Sequence, residues 1–146
     1  MKLGITGSRS NTIFDFTPLF SARIEKFNDF LCGKEITSII TGGACGIDKQ
    51  AERCADMLNI PCQIILPDYI KYRKGAPLRR NLQIAEMCDA LLAIWDGNQY
   101  SRGTIYTVKS ALKLNKRVFL IVSANETITE CVGEIRDETV FAVSKF

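Results

Sequence analysis

At 146 residues with a formal net charge of +3, the chain is sized for one domain whose sheet is covered on both faces, and its charge total does not indicate a broad basic surface for nucleic acid. The absence of histidine removes Ser-His-Asp and Cys-His catalysis, leaving Asp, Glu, Tyr, Cys or Lys for any acid–base step. Six cysteines without a CxxC spacing argue against a zinc site or a disulfide scaffold, so no metal or cofactor is called for and the thiols read as small core residues in a reducing compartment.

The opening Met1-Lys2-Leu3-Gly4-Ile5 lacks an apolar core of signal-peptide length, and no later stretch approaches a membrane span. The expectation is a cytoplasmic protein without a membrane partner. Lys2 to Thr6 reads as a short buried strand. The next residues, Gly7-Ser8-Arg9-Ser10, combine a turn glycine, two hydroxyls and an arginine fork, which suits a phosphate or a ribose. From Thr17, a first-turn proline and the spacing of Phe20, Ile24, Phe27, Phe30 and Leu31 predict one amphipathic helix to about Cys32, ended by Gly33.

Ile36 to Thr41 is the second strand, and it breaks into Gly42-Gly43-Ala44-Cys45-Gly46 before a helix over Asp48 to Leu58, with Ala51, Cys54, Ala55 and Leu58 on one face. Such a junction presents backbone N–H groups and the positive end of a helix dipole at the carboxyl edge of a sheet, where an anion can be held. Glycine there lets a phosphate approach the backbone without meeting a Cβ. Asp48 has two readings: an acid favoured by the helix dipole, or an acceptor for a ribose diol that also orients an arginine. Cys45 is the cysteine whose place in the glycine loop sets it apart from the core thiols.

Pro61 to Leu66 is the third strand, stopped by Pro67-Asp68-Tyr69. Ile70 to Leu78 reads as a basic loop interrupted by Gly75 and Pro77. Lys71, Arg73, Lys74, Arg79 and Arg80 fall within ten residues, as a solvated loop or an anion site. Arg79-Arg80-Asn81 opens a helix through Met87, and arginines at a helix start oppose the dipole unless an anion is near. Ala90 to Trp95 is the continuous apolar run of a central parallel strand. Asp96 to Thr104 repeats the combination of glycine turn, hydroxyls and arginine, then enters a helix ending near Leu114. Arg117 to Val122 is the fifth strand, and Thr127 to Phe146 is expected to add a small helix and an edge strand around Val140 to Val143.

Five strands alternating with helices predict a single α/β domain over 1–146, with a Rossmann-like doubly wound parallel sheet over 2–122 in the order 3-2-1-4-5 and a C-terminal extension over 123–146. Ligands of such sheets lie beyond the carboxyl ends of the strands where the order reverses. That place is between strands one and four, flanked by the loops at Ser8 and Ser101, with the Gly43 loop beside it. The two common nucleotide motifs are absent: Ile47 stands five residues after Gly42, no Gly-Lys-Ser/Thr follows, and GxGxxG does not occur there.

The ordered set Gly4-Ile5-Thr6-Gly7-Ser8-Arg9, Gly42-Gly43-Ala44-Cys45-Gly46-Ile47-Asp48, Pro67, Arg79-Arg80-Asn81, and Trp95-Asp96-Gly97 with Ser101-Arg102-Gly103-Thr104 resembles the SLOG superfamily of Rossmann-like domains, in particular its short YspA/YpsA-type members. The likeness covers roughly Lys2 to Val122. It implies a nucleotide or nucleotide-derived ligand. Some members of the family cleave the N-glycosidic bond of a nucleoside monophosphate, others are thought to sense ADP-ribose-like or NAD-derived molecules, and the DNA-processing relatives bind single-stranded DNA. By matching positions, Gly42, Gly43, Gly46 and Asp48 look like the first ligand loop, Ser101, Gly103 and Thr104 like the phosphate loop, and Arg80 like the arginine of the hydrolases. In those hydrolases an acidic residue that helps expel the base follows the threonine closely. Here Thr104 is followed by Ile105, Tyr106, Thr107, Val108 and Lys109.

The expected ligand set is therefore Gly7, Ser8, Arg9, Gly42, Gly43, Gly46, Asp48, Arg79, Arg80, Asn81, Asp96, Gly97, Ser101, Arg102, Gly103 and Thr104, in a protein that senses or sequesters a small nucleotide derivative such as an ADP-ribose- or NAD-derived signal. The first alternative is an N-glycosidase with Arg80 and Asp48 as catalytic groups, the missing acid being replaced by Asp48, Asp68 or Asp96. A further alternative is single-stranded nucleic-acid binding by Lys71 to Arg80, with Tyr69 and Tyr72 stacking on bases. The resemblance also implies a homodimer or higher homo-oligomer with the pocket near an interface.

Overall fold

Among the residues that the computed structural model describes, 1–10, 14–21, 25–96, 102–122 and 127–131, one sheet carries the fold. Its strands are β1 (Lys2–Gly7), β2 (Ser38–Thr41), β3 (Cys62–Ile64), β4 (Ala90–Trp95), β5 (Arg117–Val122) and β6 (Thr127–Cys131). They lie in the order β3-β2-β1-β4-β5-β6, with the first five parallel and β6 antiparallel to β5. The parallel strands thus take the order expected of a doubly wound sheet. The sixth strand falls at Thr127–Cys131. Its short Thr-Ile-Thr-Glu-Cys alternation is a weak signal next to the long run of β4, and the strand expected around Val140 to Val143 lies outside the described residues.

The described residues form six α-helices: α1 (Thr17–Phe20), α2 (Glu25–Leu31), α3 (Ile47–Met57), α4 (Tyr69–Tyr72), α5 (Ala76–Met87) and α6 (Arg102–Lys113). Side chains of β4 alternate between two cores, as a strand with period two must when both faces are covered. Leu91, Ala93 and Trp95 pack with Ile84, Ile105 and Val108 of α5 and α6. Ala90, Leu92 and Ile94 face the other way, onto Phe16, Phe27, Phe30, Ile47 and Ala51. On that face Phe27, Phe30 and Phe119 pack with ring centroids 5.1–5.9 Å apart. Phe20 continues the cluster against Phe27 at 5.9 Å.

The second and third strands are shorter than the expected Ile36 to Thr41 and Pro61 to Leu66, and two larger differences from the sequence expectation each have a local reason. The helix expected from Thr17 to Cys32 is split into α1 and α2. Ser21 closes α1, its N–H donating to Thr17 O at 2.9 Å, while the phenylalanines keep one apolar face on both sides of the break. The basic segment expected as a loop over Ile70 to Leu78 is helical instead. Asp68 caps α4 by accepting from the Lys71 N–H at 3.0 Å, and a 3-10 turn over Arg73–Gly75 leads directly into α5. Pro77 sits in the first turn of α5, where its missing N–H leaves no bond unmade. Because α5 starts at Ala76, Arg79 and Arg80 lie beyond its first residues, and the argument from the dipole at the helix start does not apply to them. No helix among the described residues is long and apolar enough to cross a membrane.

Candidate functional site

The loops after β1 and β4 and the start of α3 are fastened together through Ser8. Its N–H donates to Ile94 O at 3.1 Å, its Oγ accepts from the Asp96 N–H at 2.9 Å, and its carbonyl accepts from the Ile47 N–H at 3.3 Å. The side chain is buried, so this hydroxyl holds the loops in place as well as facing the cavity between them. Two glycines make the approach possible. A Cβ on Gly7 would stand 2.5 Å from Ile94 O, and one on Gly46 would stand 2.5 Å from both Ser8 O and Arg9 O. Gly46 also has φ +78°, in the region that side-chain-bearing residues avoid. At Gly7 and Gly46 the room that a glycine offers is filled here by the protein's own atoms.

Gly42 serves a second contact of this kind. Its absent side chain leaves room for the Arg80 guanidinium, which a Cβ would approach to 2.6 Å. Arg80 is buried, although it extends from the second turn of α5. Its Nη1 donates to Gly42 O and, at 3.4 Å, to Ile65 O, and its Nε donates to Asn81 Oδ1 at 2.8 Å. Asn81 Nδ2 reaches Gly103 O at 3.4 Å, and that carbonyl also accepts from Thr107 Oγ1 at 2.8 Å. One polar chain therefore runs from the end of β2 through α5 to the start of α6. Burial pulls the Arg80 pKa down, the neighbouring charge of Arg9 adds to this, and Asp48 opposes it.

Asp48 lies in the first turn of α3 and is also buried. Its Oδ2 accepts from the Ala44 N–H at 3.2 Å. Desolvation raises its carboxyl pKa above the ordinary 3.8, outweighing the Ala44 N–H, the nearby Thr41 hydroxyl and the charge of Arg80, which favour the carboxylate. Even so, Asp48 Oδ1 and Thr41 Oγ1 both lack a hydrogen-bond partner of normal geometry among the described residues. A buried carboxylate oxygen without a donor costs free energy, and the same oxygen is a ready acceptor for an O–H or N–H brought from outside.

Asp48 and Arg80 face a polar cavity of about 360 Å³ at the carboxyl ends of β1 and β4. Of the residues singled out in the sequence, Gly7, Ser8, Arg9, Asn81, Asp96, Arg102, Gly103 and Thr104 also line it. Gly42 and Gly43 line a neighbouring cavity of about 240 Å³, together with Arg9, Arg80, Cys45, Leu66, Pro67 and Tyr69. Gly46 lines neither, being packed under Ser8 and Arg9. Arg79 is exposed and lies over the Tyr72 ring, 5.3 Å from its centroid, outside both cavities. Gly97 and Ser101 lie outside the described residues. Thr6 and Ala44 belong to the larger polar cavity without having been singled out, with Ser10, noted in the sequence for its hydroxyl, beside them; Leu66 and Pro67 line the smaller one, as does Tyr69, singled out only as a stacking partner for single-stranded nucleic acid. Apolar residues at a strand end carry no chemical signal in the sequence. Ser10 approaches Asp96, with Oγ 3.5 Å from Oδ2. Among the described residues no group of His, Cys, Asp or Glu side chains is arranged to hold a metal ion.

No protein-family model matches the chain, and no curated protein matches it. The function is therefore argued from the site itself.

The packing of Gly46 gives a first test. Gly46→Ala forces a Cβ into two carbonyl oxygens at a positive φ, and is expected to lower unfolding free energy by at least about 1–3 kcal/mol in urea titrations. An unchanged midpoint would mean that the loop is not held against Ser8. Asp48 gives a second test, through pH. Because its folded pKa lies above 3.8, the cost of burying the charge is absent below pH 3.8 and develops as pH rises through the folded value. Asp48→Asn should gain stability relative to the wild type between pH 3.5 and pH 7. A stability difference that is the same at both pH values would contradict a strained buried carboxylate.

Proposed function

We propose that this protein binds a small nucleotide derivative, such as an ADP-ribose- or NAD-derived molecule, in the polar cavity at the switch point of its sheet, as a sensor or a sequestering protein. The observation that carries the reading is the buried Asp48 carboxylate, whose Oδ1 has no donor among the described residues, lining a cavity that also holds Arg9, Arg80 and Arg102. Sugar hydroxyls supply the donor that Asp48 lacks, and phosphoryl oxygens suit the arginine forks. The cavity's position, between β1 and β4 where the strand order reverses, is where doubly wound sheets hold such ligands. Its volume falls within the usual range for small-molecule sites. The resemblance to SLOG domains points to the same ligand class.

Hydrolysis of an N-glycosidic bond is the second reading, supported by one feature: Asp48, with its pKa raised by burial, shares the cavity with a second carboxylate, Asp96. Two carboxylates in different environments can divide acid and base roles. The third reading, single-stranded nucleic acid, has less support. The Tyr72 ring is already paired with Lys71 and Arg79 of its own chain, at 5.2 and 5.3 Å from its centroid.

A thermal-shift screen with AMP, NAD and ADP-ribose tests the binding reading. A ligand at 100 times its dissociation constant adds about 2.7 kcal/mol of stability, enough to raise the melting temperature by several degrees. No shift with any of the three would contradict it. Chromatography of the same mixtures for free adenine or nicotinamide is expected to find none above the protein-free control, and sustained release would replace the binder with the hydrolase.

A further inference from the structure

The two polar cavities share a wall. The volumes of about 360 and 240 Å³ have Arg9, Ala44 and Arg80 in common, while the rest of their linings differ in chemistry. The first is walled by carboxylates and hydroxyls. The second is bounded by Leu66, Pro67 and Tyr69, with Tyr69 59% exposed and Leu66 68% exposed.

Arg80, at 5% exposure, stands between them with its hydrogen bonds incomplete. A guanidinium carries five N–H donors. Nε and Nη1 are used by Asn81, Gly42 and Ile65, and the pair on Nη2 has no partner among the described residues. Arg9 is close enough for its positive charge to disfavour that of Arg80. Two repelling cations and an unused donor pair at the junction of two cavities are the arrangement that an anion relieves.

We propose that the two cavities are the lobes of one bipartite site, in which Arg9 and Arg80 Nη2 hold a phosphoryl bridge, the hydroxyls of a sugar on one side of it face Asp48 and Asp96 in the first lobe, and the base of the nucleoside on its other side stacks on Tyr69 in the second. This rests on the nucleotide reading above and narrows it. The ligand is a nucleotide with an intact base, and a sugar phosphate alone occupies only one lobe. Tyr69, not Tyr72, is the stacking platform, because the face of Tyr72 is taken by Lys71 and Arg79.

Calorimetric titration of the full chain with AMP, ADP-ribose and ribose 5-phosphate, for the wild type, Tyr69→Ala and Tyr69→Phe, tests this. Tyr69→Ala is expected to weaken AMP and ADP-ribose roughly ten-fold, the size of effect that loss of base–aromatic stacking produces. Ribose 5-phosphate should keep its wild-type affinity, and Tyr69→Phe should restore the other two. If Tyr69→Ala binds AMP and ADP-ribose as the wild type does, the base lobe is overturned while the nucleotide reading stands. If wild-type protein binds ribose 5-phosphate but neither nucleotide, the bipartite site is likewise overturned. If it binds none of the three, the nucleotide reading fails and the bipartite site falls with it.

Discussion

One buried guanidinium ties together the carboxyl edge of the sheet. Arg80 reaches from α5 to Gly42 O at the end of β2 and to Ile65 O just beyond β3, and through Asn81 it is linked to the first turn of α6. Hydrogen bonds from a charged donor contribute about 1.5–3 kcal/mol each, against a desolvation cost of several kcal/mol for burying the ion. The balance depends on Asp48, whose negative charge favours the Arg80 cation although the two do not form a direct ion pair among the described residues. The loops around the cavity are therefore joined through a charged group whose Nη2 donors have no partner among the described residues, and the proposed anion site is argued from that.

The glycines acquire their meaning from the same packing. A glycine-rich strand-to-helix loop suggests a bare backbone on which a phosphate can lie, yet Gly7 and Gly46 are pressed against carbonyl oxygens and Gly42 against Arg80. Room that would otherwise go to a ligand is used to bring three loops into contact. What faces the cavity is a set of side chains: the Arg9, Arg80 and Arg102 cations, the Asp48 and Asp96 carboxylates, and the hydroxyls of Ser8 and Thr104. Recognition on this account is mainly by side-chain charge and hydrogen bonding; Gly7, Gly42, Gly43 and Gly103 also line the cavities, while Gly46 lies behind them as a condition for the geometry.

Much of this was legible in the sequence because the strong signals are local. The apolar run Ala90 to Trp95, the alternation of strands with helices, and the punctuation by Gly7, Gly42 and Gly46 suffice for a doubly wound sheet and for the edge at which its loops meet. The residues Arg9, Asp48, Arg80, Asn81, Asp96, Arg102 and Thr104 do converge on one cavity, from the loops after β1 and β4, from the starts of α3 and α6 and from the second turn of α5. What was not legible depends on tertiary contact. Nothing in Arg79-Arg80 says which arginine turns inward. The helical register of α5, fixed by its start at Ala76, places Arg80 against Gly42 and leaves Arg79 over Tyr72. Nor does the sequence tell a glycine that admits a ligand from one that admits a neighbouring carbonyl. The second cavity was legible only in part, since Leu66 and Pro67 look like the ordinary end of a strand and Tyr69 carried a signal only as a stacking partner for nucleic acid.

The account stands or falls on Arg80 having a donor pair to spare for a ligand anion. A crystal structure of the protein grown with ADP-ribose measures this directly. The predicted result is a phosphoryl oxygen within hydrogen-bond distance of Arg80 Nη2 and of Arg9, with the Arg80 bonds to Gly42 O and Asn81 unchanged and a sugar hydroxyl on Asp48 Oδ1. Density for the ligand away from the switch-point cavity, or an Arg80 Nη2 pair bonded to the protein's own carbonyls with the cavity holding only solvent, would contradict it.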